Sequence, residues 1–166
     1  YAYLLAAETE YFRAHRNYAG VLHFDYLTGD FHGAITGDVF RDPEKLEPVE
    51  VYDEYFSEIF KPLGVYVNYF PENVIAGTET EIPVMLVNDE YHRISGNIEI
   101  RILDESGEEV ANSSGPFSIA ELSQYTGKIK IRMPEKEGAY RIHTYAVQPD
   151  GSKTLCRRKI NITSEK

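Results

Sequence analysis

His23, Asp25, Asp30, His32 and Asp38 gather imidazoles and carboxylates into one short stretch. Side chains of these types move protons or ligate metal ions when at least two of them converge on one point. What they can do depends on the element that holds them. Gly20-Val21-Leu22-His23-Phe24-Asp25-Tyr26-Leu27 is short and mainly apolar, which predicts a buried strand of the parallel-sheet kind. Ligands of α/β proteins collect at the carboxyl ends of such strands, where Asp25 and the segment after it would lie. Asp30 and Asp38 each follow Thr-Gly in a repeated Thr-Gly-Asp, and they read as turn-formers in a long loop from Thr28 to Pro48. No HExxH, P-loop, GxSxG or GxGxxG pattern is present, so the sequence calls for no metal ion and no cofactor.

Helices flank this stretch. From Ala2 to Arg16, Leu4, Leu5, Phe12 and the small Ala6, Ala7 and Ala14 interleave with Glu8, Glu10, Arg13 and Arg16, and Asn17 and Gly20 mark the stop. A second helix follows the loop, because Val51, Tyr52, Tyr55, Phe56, Ile59 and Phe60 recur at three- and four-residue steps. Pro62 ends it near Phe60. Glu50, Glu54 and Glu58 share one face and read as its solvated side. Gly64 then permits a tight exit, and Val65, Val67 and Tyr69 begin a period-two pattern with Tyr66 and Asn68 opposite. This change of period marks a junction between an α/β unit, 1–63, and a β unit, 64–166; the alternative is a helix-to-strand turn inside one α+β domain.

Beyond the junction the pattern is all β. Strands are predicted over 65–69, 81–88, 97–104, 117–119, 127–133, 139–147 and 154–162, separated by turn chemistry such as Glu105-Ser106-Gly107 and Pro149-Asp150-Gly151. Such spacing describes an immunoglobulin-like two-sheet sandwich without the antibody-type Cys–Trp–Cys core. Ile98, Ile100, Ile102, Ile129, Ile131, Met133, Tyr140, Ile142, Thr144 and Ala146 fall on the core face; His143 and Tyr145 face out. The fold class is therefore mainly β: a sandwich preceded by a partial α/β, helix-strand-helix segment.

Composition narrows the partners. A net charge of −10 argues against nucleic acid and anionic membrane surfaces, and no apolar run approaches the length of a bilayer span. Arg157-Arg158-Lys159, the one basic cluster, reads as a solvated strand end rather than a phosphate site. Cys156 is the sole cysteine, which excludes an internal disulfide. Asn112 and Asn161 head Asn-X-Ser/Thr patterns that are acceptor sites only in a eukaryotic secretory setting. Tyr1, which is not Met, lies inside the first helix, so the chain is expected to be a piece of something longer.

Several of these residues carry a likeness. Gly20-Val21-Leu22-His23-Phe24, the loop, and then Tyr52, Tyr55, Phe56, Phe60, Pro62 and Val65 resemble the end of the catalytic barrel of family 2 glycoside hydrolases, the β-galactosidase, β-mannosidase and β-glucuronidase group. The second half is similar to the sandwich that follows the barrel in larger members, through Val87-Asn88-Asp89-Glu90, Gly96-Asn97-Ile98-Glu99-Ile100, Asp104-Glu105-Ser106-Gly107, Met133-Pro134 and Gly138-Ala139-Tyr140. The resemblance implies the last elements of a (β/α)₈ barrel, with carbohydrate as the parent's substrate. Phe24 falls where the family places a Trp that floors the sugar subsite, with His23 and Asp25 beside it at the carboxyl end of the strand. The family's two catalytic glutamates would lie upstream of Tyr1, so no catalytic residue is expected in this chain. The sequence assigns no compartment, and the resemblance is compatible with a periplasmic or secreted one. A stand-alone immunoglobulin-like module that binds or scaffolds glycan or protein is the rival reading. Because three barrel elements close no barrel, the apolar N-terminal segment should fold back on the sandwich or, the favoured arrangement, pair with the same segment of a second chain.

Overall fold

Alanine-rich sequence gives the first element its shape and its place. In the computed structural model, which describes residues 1–17, 21, 29–31, 34–36, 39–42 and 45–164, helix α1 spans Ala2–Ala14. Ala, Leu and Glu favour the helix intrinsically. Its buried face is made of Ala2, Ala6, Ala7 and Ala14, side chains small enough to let the backbone approach a sheet closely. Thr9 and Glu10 are buried with them.

The 28–48 stretch is not the unbroken loop that its Gly, Asp and Pro content predicts. It holds two small antiparallel pairs, β1 (Gly29–Phe31) with β2 (Ala34–Thr36), and β3 (Phe40–Asp42) with β4 (Glu47–Pro48). Strands of two or three residues leave no hydrophobic alternation to read. The second pair is held by local charges: Lys45 Nζ lies 2.6 Å from Asp42, and Arg41 lies 3.0 Å from Glu47.

Helix α2 (Glu50–Ile59) starts with Glu50 and Asp53 in its first turn, where the helix dipole favours anions. It stops before Pro62, as predicted. The face turned to the rest of the chain is the centre of the predicted stripe, and its two margins are left open. Tyr52 and Ile59 are buried and Tyr55 and Phe56 half-buried, whereas Val51 is 46% and Phe60 50% exposed. At about 100° per residue the six apolar positions span about half the helix circumference, with Val51 and Phe60 at the two ends of that arc and the covered residues between them. Both helices lie against the sandwich, the first of the two arrangements expected for this segment.

Eight strands follow: β5 (Leu63–Val67), β6 (Val74–Ile75), β7 (Glu79–Asn88), β8 (Ile94–Leu103), β9 (Glu109–Ile119), β10 (Gln124–Arg132), β11 (Gly138–Val147) and β12 (Lys153–Thr163). They form two sheets, ordered β10-β7-β5 and β6-β12-β11-β8-β9, with antiparallel pairing except between β6 and β12. The fold is thus mainly β, as predicted, with its strands divided between two sheets. Every position assigned to the core face is buried, and the alternation that identified those positions also sends His143 and Tyr145 to the other side. Asp104 and Asp150 organise their turns by accepting the Ser106 and Ser152 amides at 2.9 Å, with Gly107 and Gly151 in the left-handed region behind them.

Two differences from expectation have plain causes. Strand β9 begins at Glu109 rather than Phe117, because at the sheet's margin its inward positions are only Ala111, Ser113 and Gly115, and Pro116 is tolerated on an edge. Gly64 sits inside β5, not in a turn; the Arg13 guanidinium stands 3.4 Å from where its Cβ would be. Gly96 is the tighter case, since a Cβ there would lie 2.0 Å from the Val147 carbonyl oxygen. Gly96→Ala should therefore force β8 and β11 apart and cost about 1–3 kcal/mol. Urea unfolding would read this as a lowered midpoint, and an unchanged midpoint would contradict the close approach.

Candidate functional site

His23, Phe24 and Asp25, the residues the sequence offers for substrate binding, lie outside the described residues, as do His32, Asp38 and the predicted strand from Leu22 onward. Asp30 is placed by its backbone in β1 opposite Ile35, in a strand rather than the predicted turn. Among the described residues no three His, Cys, Asp or Glu side chains stand close enough to hold a metal ion.

The most buried ionic chemistry instead joins α1 to β12. Arg158 is 2% exposed and Glu10 7% exposed, and their Nη2 and Oε2 atoms are 2.7 Å apart. Cys156 donates its thiol to the same carboxylate oxygen at 3.2 Å. The guanidinium is otherwise satisfied: Nε donates to the Val67 carbonyl at 2.8 Å and Nη1 to the Arg157 carbonyl at 2.7 Å. Its plane lies over Phe70 and Tyr66, 4.8 and 5.5 Å from the ring centroids. Burial pushes the Glu10 carboxyl up, against the opposing pull of Arg158, and pushes the Cys156 thiol well above its ordinary value. A thiol so placed is no nucleophile at neutral pH. The adjoining cavity is about 10 Å³, the lower limit for a single water, so the joint binds no substrate.

Arg158 is therefore not part of a solvated strand end. Its inward parity with Cys156 and Ile160 was visible in the sequence, as was the position of Glu10 among Ala6, Ala7 and Ala14 on the small face of α1. An unpaired charge on an apolar face is costly, so two such charges of opposite sign call for each other.

A second set of charges fixes α2. Glu58 accepts the Leu155 N–H at 2.9 Å and pairs with Lys61 at 2.8 Å, while Lys61 donates to the Lys153 carbonyl at 3.0 Å. Glu54 pairs with Arg157 at 3.1 Å, and Arg157 lies over the Tyr55 ring. The predicted solvated glutamate face is thus partly a docking face. Arg13 donates to the Ile59 carbonyl and, at 2.8 Å, to that of Lys61, supplying donors to the end of α2. Arg13 and Arg16 both reach Asp89, at 2.7 and 2.8 Å.

The remaining candidates are open. A groove of about 470 Å³ at one end of the sandwich is lined by Lys61, Glu90, His92, Gln148, Ser152 and Lys153 among others. On the outward face of the larger sheet, half-buried His143 stands directly opposite Arg101 on one side and Arg157 on the other. Burial, with Arg157 and Arg141 beside it, lowers its pKa to about 4, so the ring is neutral at pH 7.

No known family model matches this sequence, and neither does any curated protein. Solved structures with a similar chain path include a beta-glucuronidase from glycoside hydrolase family 2, at 13% identity and a TM-score of 0.47 over 60% of this chain and 11% of that one. A beta-glucosidase from Listeria innocua follows at 8% identity, a TM-score of 0.49 and coverage of 63% and 16%. The sporulation control protein Spo0M from Bacillus subtilis gives 10% identity, a TM-score of 0.46 and coverage of 62% and 49%. The chain spans less than a fifth of either glycosidase. Likeness of this degree is shared by proteins with different tasks and selects none of them.

Removing one partner of the buried pair should be far worse than removing both. Glu10→Ala leaves the Arg158 guanidinium without its anion and should cost about 3–5 kcal/mol, whereas Glu10→Leu with Arg158→Met should recover most of that in urea unfolding. A single variant as stable as the parent would show that the pair is not buried. His143 makes a pH prediction with a definite sign. Between its folded value of about 4 and its ordinary 6.5 the unfolded chain binds more protons. Its contribution to stability is complete above 6.5 and is lost as the pH falls towards 4. His143→Gln should remove that part of the acid slope, and an NMR midpoint for His143 near 6.5 would contradict its neutral, crowded position.

Proposed function

We propose that this chain is the C-terminal part of a family 2-like glycoside hydrolase, with residues 1–63 completing a (β/α)₈ barrel and 64–166 forming an accessory sandwich. Hydrolysis of O-glycosyl bonds belongs to the intact parent. A retaining mechanism needs two carboxyl groups about 5–5.5 Å apart across the sugar, and that pair comes from elsewhere in the parent. In this reading the Phe24 ring floors the sugar subsite, and His23 and Asp25 hydrogen-bond to substrate hydroxyls.

The observation that carries the proposal is the way α1 and α2 are mounted. Each is fastened to the sandwich through one face by Glu10, Arg13 and Glu58, while Tyr1, Leu4 and Val51 face away. Helices at the end of a barrel need such a second face, because the neighbouring barrel elements pack there. The segment bearing His23, Phe24 and Asp25 lies in sequence between α1, whose end is held by Arg13 and Arg16, and α2, whose end is held by Arg13, Glu58 and Lys61. In this reading the sandwich acts as a buttress for the two helices that flank a substrate-binding segment.

The groove near His92 and Gln148 favours a second reading, a stand-alone module that holds glycan or protein there. Two measurements test these ideas. The purified chain should not cleave chromogenic β-galactosides, β-glucuronides or β-mannosides; turnover that disappears in Asp25→Asn would make the strand-end carboxylate catalytic and overturn the first reading. Without its barrel neighbours, the outward helix faces should bring two chains together. Light scattering should then show a dimer that Leu4→Asp with Val51→Asp dissociates, and a monomeric parent chain would rule the association out.

A further inference from the structure

We infer that the free edge of β9 takes up an added strand, an extended segment of another protein whose alternate side chains are aliphatic. β9 (Glu109–Ile119) ends the five-stranded sheet, and among the described residues no strand pairs with its outer side. The sandwich guards its other edges. α1 and α2 lie over β5 and β12, β6 is two residues long, and β10 carries Lys128, Lys130 and Arg132 at its outward positions. A covering helix, short length and charge are the usual means of keeping foreign strands away from an edge. β9 has none of these: no charged residue occurs from Val110 to Ala120, and Val110, Asn112, Ser114 and Pro116 are exposed. Its one guard is Pro116, which has no N–H to offer and so confines pairing to Val110–Gly115.

The inner side of this half-strand selects the occupant. Ordering a strand costs backbone entropy, which buried side chains normally offset. Phe117 and Ile119 are buried, but the inward residues before them are Ala111, Ser113 and Gly115, all only half-buried. Ala111 and Tyr125 pack against the core without being closed off from water, and Ile129 approaches within 3.0 Å of where a Gly115 Cβ would stand. The margin of the core therefore lies open along this edge. A strand added here would set alternate side chains beside Ala111 and Ser113, about 4.8 Å away, and aliphatic ones would cover that margin. A second copy of β9 would not, because it brings the same small residues. On the outward side a groove of about 420 Å³ is lined by Glu99, Arg101, Glu109, Asn112 and Ser114 among others. Its two carboxylates share one guanidinium, with Glu99 at 2.8 Å and Glu109 at 3.7 Å from Arg101, so the outward side chains of the segment are polar or basic.

The test is fluorescence anisotropy of the full chain with a labelled peptide in which valine alternates with threonine and lysine. Saturable binding is expected, with new hydrogen-exchange protection of backbone amides between Val110 and Gly115. Strand addition runs through main-chain hydrogen bonds, so methylating every second backbone nitrogen of the peptide should abolish binding in one frame and spare it in the other. Ser113→Lys puts an inward charge on the edge and should weaken binding about tenfold. Ser113→Ile covers the margin from within; it should weaken binding too, with an unchanged or raised thermal melt that separates loss of the site from loss of the fold. No binding, equal effects of the two methylation frames, protection elsewhere than β9, full binding by Ser113→Lys, or a lowered melt of Ser113→Ile would overturn the inference. A fall in the mass of the unliganded chain on Ser113→Lys, read by light scattering, would also overturn it and would assign the edge to a second copy.

Discussion

A strand with an unpaired edge must have its backbone groups covered, and this sandwich has two such edges on the same side. β5 pairs only with β7, and β12 has a strand on its free side only at Ile162 and Thr163. Exposed edges are templates for unwanted pairing. Here α1 and α2 close them, and they do so with charged side chains rather than backbone. Glu58 takes the Leu155 N–H, Lys61 gives a donor to the Lys153 carbonyl, and Arg158 reaches from β12 to the Val67 carbonyl on β5. The Glu10 carboxylate then neutralises Arg158 from the helix side. One guanidinium thus ties together both sheets and the first helix.

This arrangement divides the molecule into parts held by different forces. Inside the sandwich, residues such as Ile82, Leu86, Ile98, Ile100, Ile142 and Ile162 are removed from water, and the non-directional hydrophobic term dominates. The helix layer has a much smaller apolar contact, centred on Ala14, Tyr66 and Val87. Directional contacts supply what area does not. All five residues of β5 are buried because it lies between these regimes, with Val65 and Val67 in the main core and Tyr66 under α1.

The sandwich was legible in the sequence because period-two alternation survives wherever one face of a strand is buried and the other wet. Ile98, Ile100 and Ile102 are the plainest example, and the turn residues at Asp104 and Asp150 bounded the strands correctly. Legibility ended where that contrast ends. The first half of β9 has small inward residues and nothing apolar to alternate, and the paired segments between Gly29 and Pro48 are too short to show a period. The Glu10–Arg158 pair was legible in parity yet unmarked by any motif, because its two members belong to patterns far apart in the chain. At the candidate subsite, His23 and Asp25 were singled out by residue type and a predicted strand end, and Phe24 by family resemblance alone.

The Glu10–Arg158 contact spans 148 positions, which sets an order of events during synthesis. At about 5–20 residues per second, roughly 7–30 s separate the appearance of these two side chains. Until then α1 has neither its counter-ion nor the strand edge it covers. A helix of 13 residues is marginal in isolation. The earliest element of the sequence is therefore among the last to be fixed in place, after β12 has joined the larger sheet. Because nucleation must wait for contacts so distant along the chain, this topology belongs with slow folders. Damage to the final strand would release the first helix as surely as damage to the helix itself.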